Sequence, residues 1–164
     1  MIGDIKMTSS VKYIRRACCG ALAILSLTAC GKSSMSLDPA ETVEQMKDKL
    51  TFTDQMTVVD MEGALRIYGV DEALVSDCAA LRGSGATAEN FSVWKTANEQ
   101  DAEELEDQLE NFLQSWIDGY SDYKPEEVPK LESAVLTQED HYVILCVSAD
   151  NEAAETYIDD LLDA

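Results

Sequence analysis

Ser133-Ala-Val-Leu-Thr-Gln138, Glu139-Asp140 and His141-Tyr-Val-Ile-Leu-Cys-Val-Ser148 form the stretch on which the fold turns. Two runs rich in β-branched and aromatic residues flank a short acidic break, the pattern of a β-hairpin. The second run is apolar at odd and even positions alike, so it belongs near the middle of a sheet. Downstream, Ser148, Asp150 or Asn151 caps a final helix whose core stripe is Ala154, Tyr157, Ile158, Leu161 and Leu162. Upstream, Tyr123-Lys-Pro-Glu-Glu-Val-Pro-Lys130 reads as an ordered turn, because each proline pushes the preceding residue towards extended backbone. Before it, Ala102, Leu105, Leu109, Phe112, Leu113, Trp116, Ile117 and Tyr120 recur at helical spacing, with Gly119 and Pro125 marking the exit. Residues 74–82 and 91–97 then pair as a first hairpin around the turn-rich Gly83-Ser-Gly-Ala-Thr-Ala-Glu89.

Towards the N-terminus, Asp38-Pro-Ala-Glu41 opens a helix with Val43, Met46 and Leu50 on one face. Residues 55–59 read as a short strand, and Met61 to Tyr68 as one or two helical turns closed by Gly69. The expected fold is α+β: an antiparallel sheet built from two β-hairpins in the order hairpin, helix, hairpin, helix. The helices are expected on one face, and an N-terminal helix precedes the whole. Such an order suggests internal two-fold pseudosymmetry, although no residue-level repeat accompanies it.

The chain has 164 residues and a net charge of −20, enough apolar content for one modest core, and an acidity that argues against phosphate-backbone partners. Residues 1–29 hold Lys6, Lys12, Arg15 and Arg16 against Asp4, leaving −23 for the remainder once this +3 is removed from the −20 total. A basic start followed by the apolar run Ala17 to Ala29 has the two leading regions of an export signal, and the run is too short to span a bilayer comfortably. Leu27-Thr-Ala-Cys30 resembles a bacterial lipobox, which implies cleavage before Cys30 and diacylglyceryl attachment to it. Two acyl chains anchor stably where one gives marginal binding. The expected division is a signal peptide at 1–29, lipidated Cys30 with a flexible tether over 30–37, and one α+β domain over 38–164. Two fates are open to the remaining thiols, Cys78 and Cys146: a disulfide outside the cytoplasm, or small buried hydrophobes in strands.

Candidate chemistry is sparse. The Gly83–Thr87 loop has glycines that could present N–H groups to an anion, but it leads into a strand and lacks a P-loop ending, so a hairpin turn explains it better. His141 is the only histidine and sits beside a hairpin turn, where an exposed side chain is the ordinary outcome. Glu152, Glu155 and Asp159 share one helical face, as do Glu103, Glu106 and Glu110. Neither set has an EF-hand loop, so each reads as a solvated face rather than a calcium site. No CxxC or Cys/His cluster is present, and neither metal nor cofactor is expected. Trp94 and Tyr123 are the candidates for an exposed aromatic patch that takes a protein, peptide or sugar.

Tyr68-Gly-Val-Asp71, Ser84 to Lys95, Tyr123 to Glu132 and Tyr142 to Ser148 together resemble the DUF4358 family. The resemblance covers roughly residues 40–162 and implies a small lipoprotein or secreted protein of Firmicutes with a compact α+β domain. It supplies no catalytic or ligand residue. The expectation is a lipid-anchored, non-catalytic binding or interaction module. The alternatives are a small envelope hydrolase using carboxylates and a structural envelope component.

Overall fold

The computed structural model describes residues 35–163. The signal segment 1–29 and Cys30 lie outside the described residues. In chain order the elements are α1 (Pro39–Lys49), β1 (Thr57–Val59), α2 (Met61–Tyr68), β2 (Val75–Arg82), β3 (Asn90–Thr96), α3 (Glu99–Tyr123), α4 (Val128–Glu132), β4 (Val135–Glu139), β5 (Tyr142–Val147) and α5 (Asn151–Leu162). Local chemistry sets the helix starts: Asp38, Asp60, Asn98 and Asp150 each accept a backbone N–H from the first turn of the helix they cap.

The five strands form one sheet in the order β1-β2-β3-β5-β4, with every pair antiparallel. The two expected hairpins are β2–β3 and β4–β5, and they join where β3 runs against β5. All six residues of β5 are buried, as its apolar character at both periods requires. Cys78, Ala80, Trp94, Val143, Leu145 and Val147 belong to one core, packed with α2, α3 and α4 through Tyr68, Leu105, Leu109, Leu113 and Leu131. Ala79, Leu81, Phe91, Val93, Ile144 and Cys146 belong to a second core, packed with α1 and α5 through Val43, Met46, Ala154 and Ile158.

The helices therefore cover both faces, which corrects the expectation of a single covered face. The physical reason is the two-sided apolarity of β3 and β5: a bare second face would leave Phe91, Val93 and Ile144 in water, at about 1.5–3 kcal/mol for each large side chain. Two further boundaries differ. α3 runs through Gly119 to Tyr123, since Ile117 and Tyr120 pack against the first core on either side of the glycine. The 123–130 segment contains a 3-10 turn, Pro125–Glu127, followed by α4, with a proline near the start of each. Val128 keeps helical backbone although Pro129 follows it, because Val128 and Leu131 dock on the first core.

The chain enters the fold through Leu37, whose backbone N–H donates to the Tyr142 hydroxyl and whose carbonyl accepts from it, both at 3.1 Å. The last residue of the expected tether is thus fastened to the start of β5, an inner strand of the sheet.

Cys78 and Cys146 are free and buried, and they belong to different cores on opposite faces of the sheet, so the disulfide alternative fails. Burial pushes both thiols up to about 12, with the charges of Asp77 and Asp60 adding to the effect at Cys78. Iodoacetamide near pH 8 should alkylate both residues only after denaturation, as read by peptide mass mapping; modification of the native protein would contradict their burial. Leu109→Ala in α3 and Ile158→Ala in α5 should each cost about 2–5 kcal/mol in urea unfolding, one from each face. An unchanged midpoint for Ile158→Ala would show that α5 is not a core element.

Candidate functional site

Two places concentrate polar groups. The first is the turn between β2 and β3, where Glu89 is buried with a fully shielded side chain. A buried carboxylate demands donors, and the chain supplies four. They are Thr53 N–H and the Thr53 hydroxyl at 2.7 Å, Asp54 N–H at 3.0 Å and Lys130 Nζ at 2.9 Å. Lys130 also meets Glu127 at 3.2 Å, and Glu127 accepts Ala88 N–H at 2.9 Å. One ammonium thereby joins α4 to the hairpin, while Glu89 joins the hairpin to the 51–54 segment.

The Gly83–Thr87 loop is held by a second carboxylate. Asp54 accepts from Ser84 N–H at 2.8 Å, from the Ser84 hydroxyl at 3.0 Å and from the Thr87 hydroxyl at 3.3 Å. A Cβ on Gly83 would stand 2.6 Å from Asp54 Oδ2, so this glycine admits the carboxylate. The Tyr120 hydroxyl donates to Thr87 carbonyl at 2.8 Å, and Lys124 Nζ donates to Ala86 carbonyl. Ser84 N–H and both loop hydroxyls serve Asp54 and Ala86 N–H serves Ser84 Oγ, in keeping with the hairpin-turn reading.

Burial tends to raise the pKa of Glu89, but the bonds from Lys130 and Thr53 outweigh it and hold the carboxyl below the ordinary range. Lys130 is the mirror case: burial tends to lower its pKa, and Glu89 and Glu127 outweigh that and raise it. Across neutral pH these groups keep their charges, so the cluster acts as a fixed ionic clasp.

The second place is a groove of about 580 Å³ between β4 and α5. Val135, Leu136 and Thr137 line one side and Glu152, Glu155 and Asp159 the other. The acidic face of the last helix, read from sequence as solvated, thus borders a concave surface. Among the described residues, no three His, Cys, Asp or Glu side chains could together hold a metal ion.

The two aromatic candidates are not brought together. Trp94 is fully buried under α3, its indole N–H donating to Ser92 Oγ at 2.8 Å and its ring edge-on to Tyr68 at 5.2 Å. The face of β3 that carries Trp94 is the one α3 covers, which corrects Trp94 as an exposed residue. Tyr123 is 80% exposed at the end of α3, without Trp94 beside it. His141 pairs with Asp140 at 3.1 Å beside the β4–β5 turn. Sequence reasoning missed the Glu89–Lys130–Glu127 cluster; its one local trace was the i, i+3 spacing of Glu127 and Lys130.

The sign of the ionic contribution is fixed by these shifts. Glu89 contributes stability that is complete above the ordinary glutamate range and lost as pH falls through its lowered native value. Lys130 contributes below the ordinary lysine value and loses it as pH rises through its raised native value. Glu89→Gln should flatten the acid limb of a stability–pH profile and cost roughly 1–3 kcal/mol at neutral pH by urea unfolding. An acid limb identical to that of the unsubstituted protein would remove Glu89 from this role.

Among the described residues no helix is long and apolar enough to cross a membrane. No curated protein and no solved structure gives a match. A family model described as a domain of unknown function matches residues 48–148, from the end of α1 through β5. This span is narrower than the resemblance over 40–162, and it contains the whole ionic clasp and the strand side of the groove, while α5 lies beyond it. With the match covering more than half of its length, the chain belongs to the DUF4358 family.

Proposed function

We propose that the chain is a lipoprotein anchored through diacylglyceryl-Cys30 at the outer face of the cytoplasmic membrane, where its folded domain serves as a non-catalytic binding module. The observation that carries the anchoring is Leu27-Thr-Ala-Cys30 at the end of a basic and then apolar leader. The charge of the rest agrees with it, since a domain this acidic is repelled by anionic headgroups and needs acyl chains to stay close. The module reading is supported by the behaviour of the buried charges. Glu89 is held ionised and Lys130 protonated, in the states that fasten loops together rather than in those poised to move a proton. The ligand classes that fit are protein, peptide or sugar, and not nucleic acid.

Cys30→Ala should abolish incorporation of a labelled fatty acid and move the protein from the membrane to the soluble fraction. Membrane retention equal to that of the unsubstituted chain would defeat the anchoring.

A further inference from the structure

β4 is an edge strand, hydrogen-bonded to β5 alone, and its register runs unbroken from Val135 opposite Cys146 to Glu139 opposite Tyr142. Proteins guard such edges with prolines, lysines, bulges or covering segments. Val-Leu-Thr-Gln-Glu contains neither proline nor lysine, and the register shift in this sheet lies instead in β2, between Val75 and Asp77. Alternate backbone N–H and C=O groups of β4 therefore point away from the sheet at regular intervals. The other edge, β1, offers only three residues.

The groove of about 580 Å³ runs beside this edge, within the size range of ligand sites. Of the described residues that line it, five are carboxylates and none is basic. Glu152, Glu155 and Asp159 share the face of α5 that borders the groove. A segment lying along β4 as a sixth strand would send every second side chain towards the face that α5 covers.

We infer that this groove takes an extended cationic peptide segment, with Lys or Arg at alternate positions, added antiparallel or parallel to β4. The inference rests on the binding-module reading and deepens it by naming the partner's chemistry. Backbone hydrogen bonds hold the segment to the edge, and the acidic wall selects its charge. A second copy of the chain is a poor occupant: at a net charge of −20, pairing β4 with β4 would bring two acidic walls together.

The test uses the purified full-length protein in detergent and a fluorescent eight-residue peptide of alternating Lys and Val, read by anisotropy. Saturable binding is expected, with affinity falling at least tenfold in the double variant Glu152→Lys, Glu155→Lys and falling again as salt is raised. N-methylating the peptide at alternate residues should abolish binding in one register and spare it in the other. Absence of saturable binding, indifference to the charge reversal, or equal tolerance of both N-methyl registers would each overturn the inference. Concentration-dependent dimerisation lost on the same charge reversal would overturn it in favour of a second copy. Peptide binding by a chain that takes no acyl label removes the anchoring alone, whereas an acylated chain that binds no peptide removes the groove alone.

Discussion

Every side chain of β5, Tyr142 to Val147, is withdrawn from water, and the strand divides them between the two faces of the sheet. This constraint sets the rest of the architecture. One face needs α2, α3 and α4, the other needs α1 and α5, and the strand itself must be flanked by β3 and β4. The described residues meet that demand by packing helices on both faces of one sheet. The helices α1 and α5 accordingly share a core, although among the described elements they are the farthest apart in sequence.

Much of this was legible from residue order. Asp38 announced its helix, Asp150 was one of three capping candidates for α5, Gly69 closed α2, and both hairpins followed from strand periodicity and turn chemistry. The covered second face was written in the same pattern, in Phe91, Val93 and Ile144, but period two gives the faces of a strand without saying which helix covers which. The ionic clasp left only the i, i+3 spacing of Glu127 and Lys130 as a local trace. Glu89 meets Lys130 across 41 positions and Thr53 across 36, and nothing local in an acidic chain marks one carboxylate out of 32 acidic residues. Trp94 shows the limit from the other side, since a period of two separates the faces of a strand without saying whether a given face is covered.

The two polar places divide labour by what their carboxylates face. In the hairpin region, Glu89 and Asp54 face the protein's own N–H and hydroxyl groups, which turns anionic side chains into internal fasteners. Along α5, Glu152, Glu155 and Asp159 face a concavity. The same residue type fastens loops in one place and borders a concave surface in the other.

The paired bonds between Leu37 and the Tyr142 hydroxyl carry a mechanical consequence. A pull on the chain ahead of residue 37 is met at the start of β5, a strand with neighbours on both sides, as well as along the backbone that leads into α1. Part of the tension is thereby passed to β3 and β4 through two hydrogen bonds to one phenol. The attachment relieves α1, one of the two helices that seal the second core, of part of such a load.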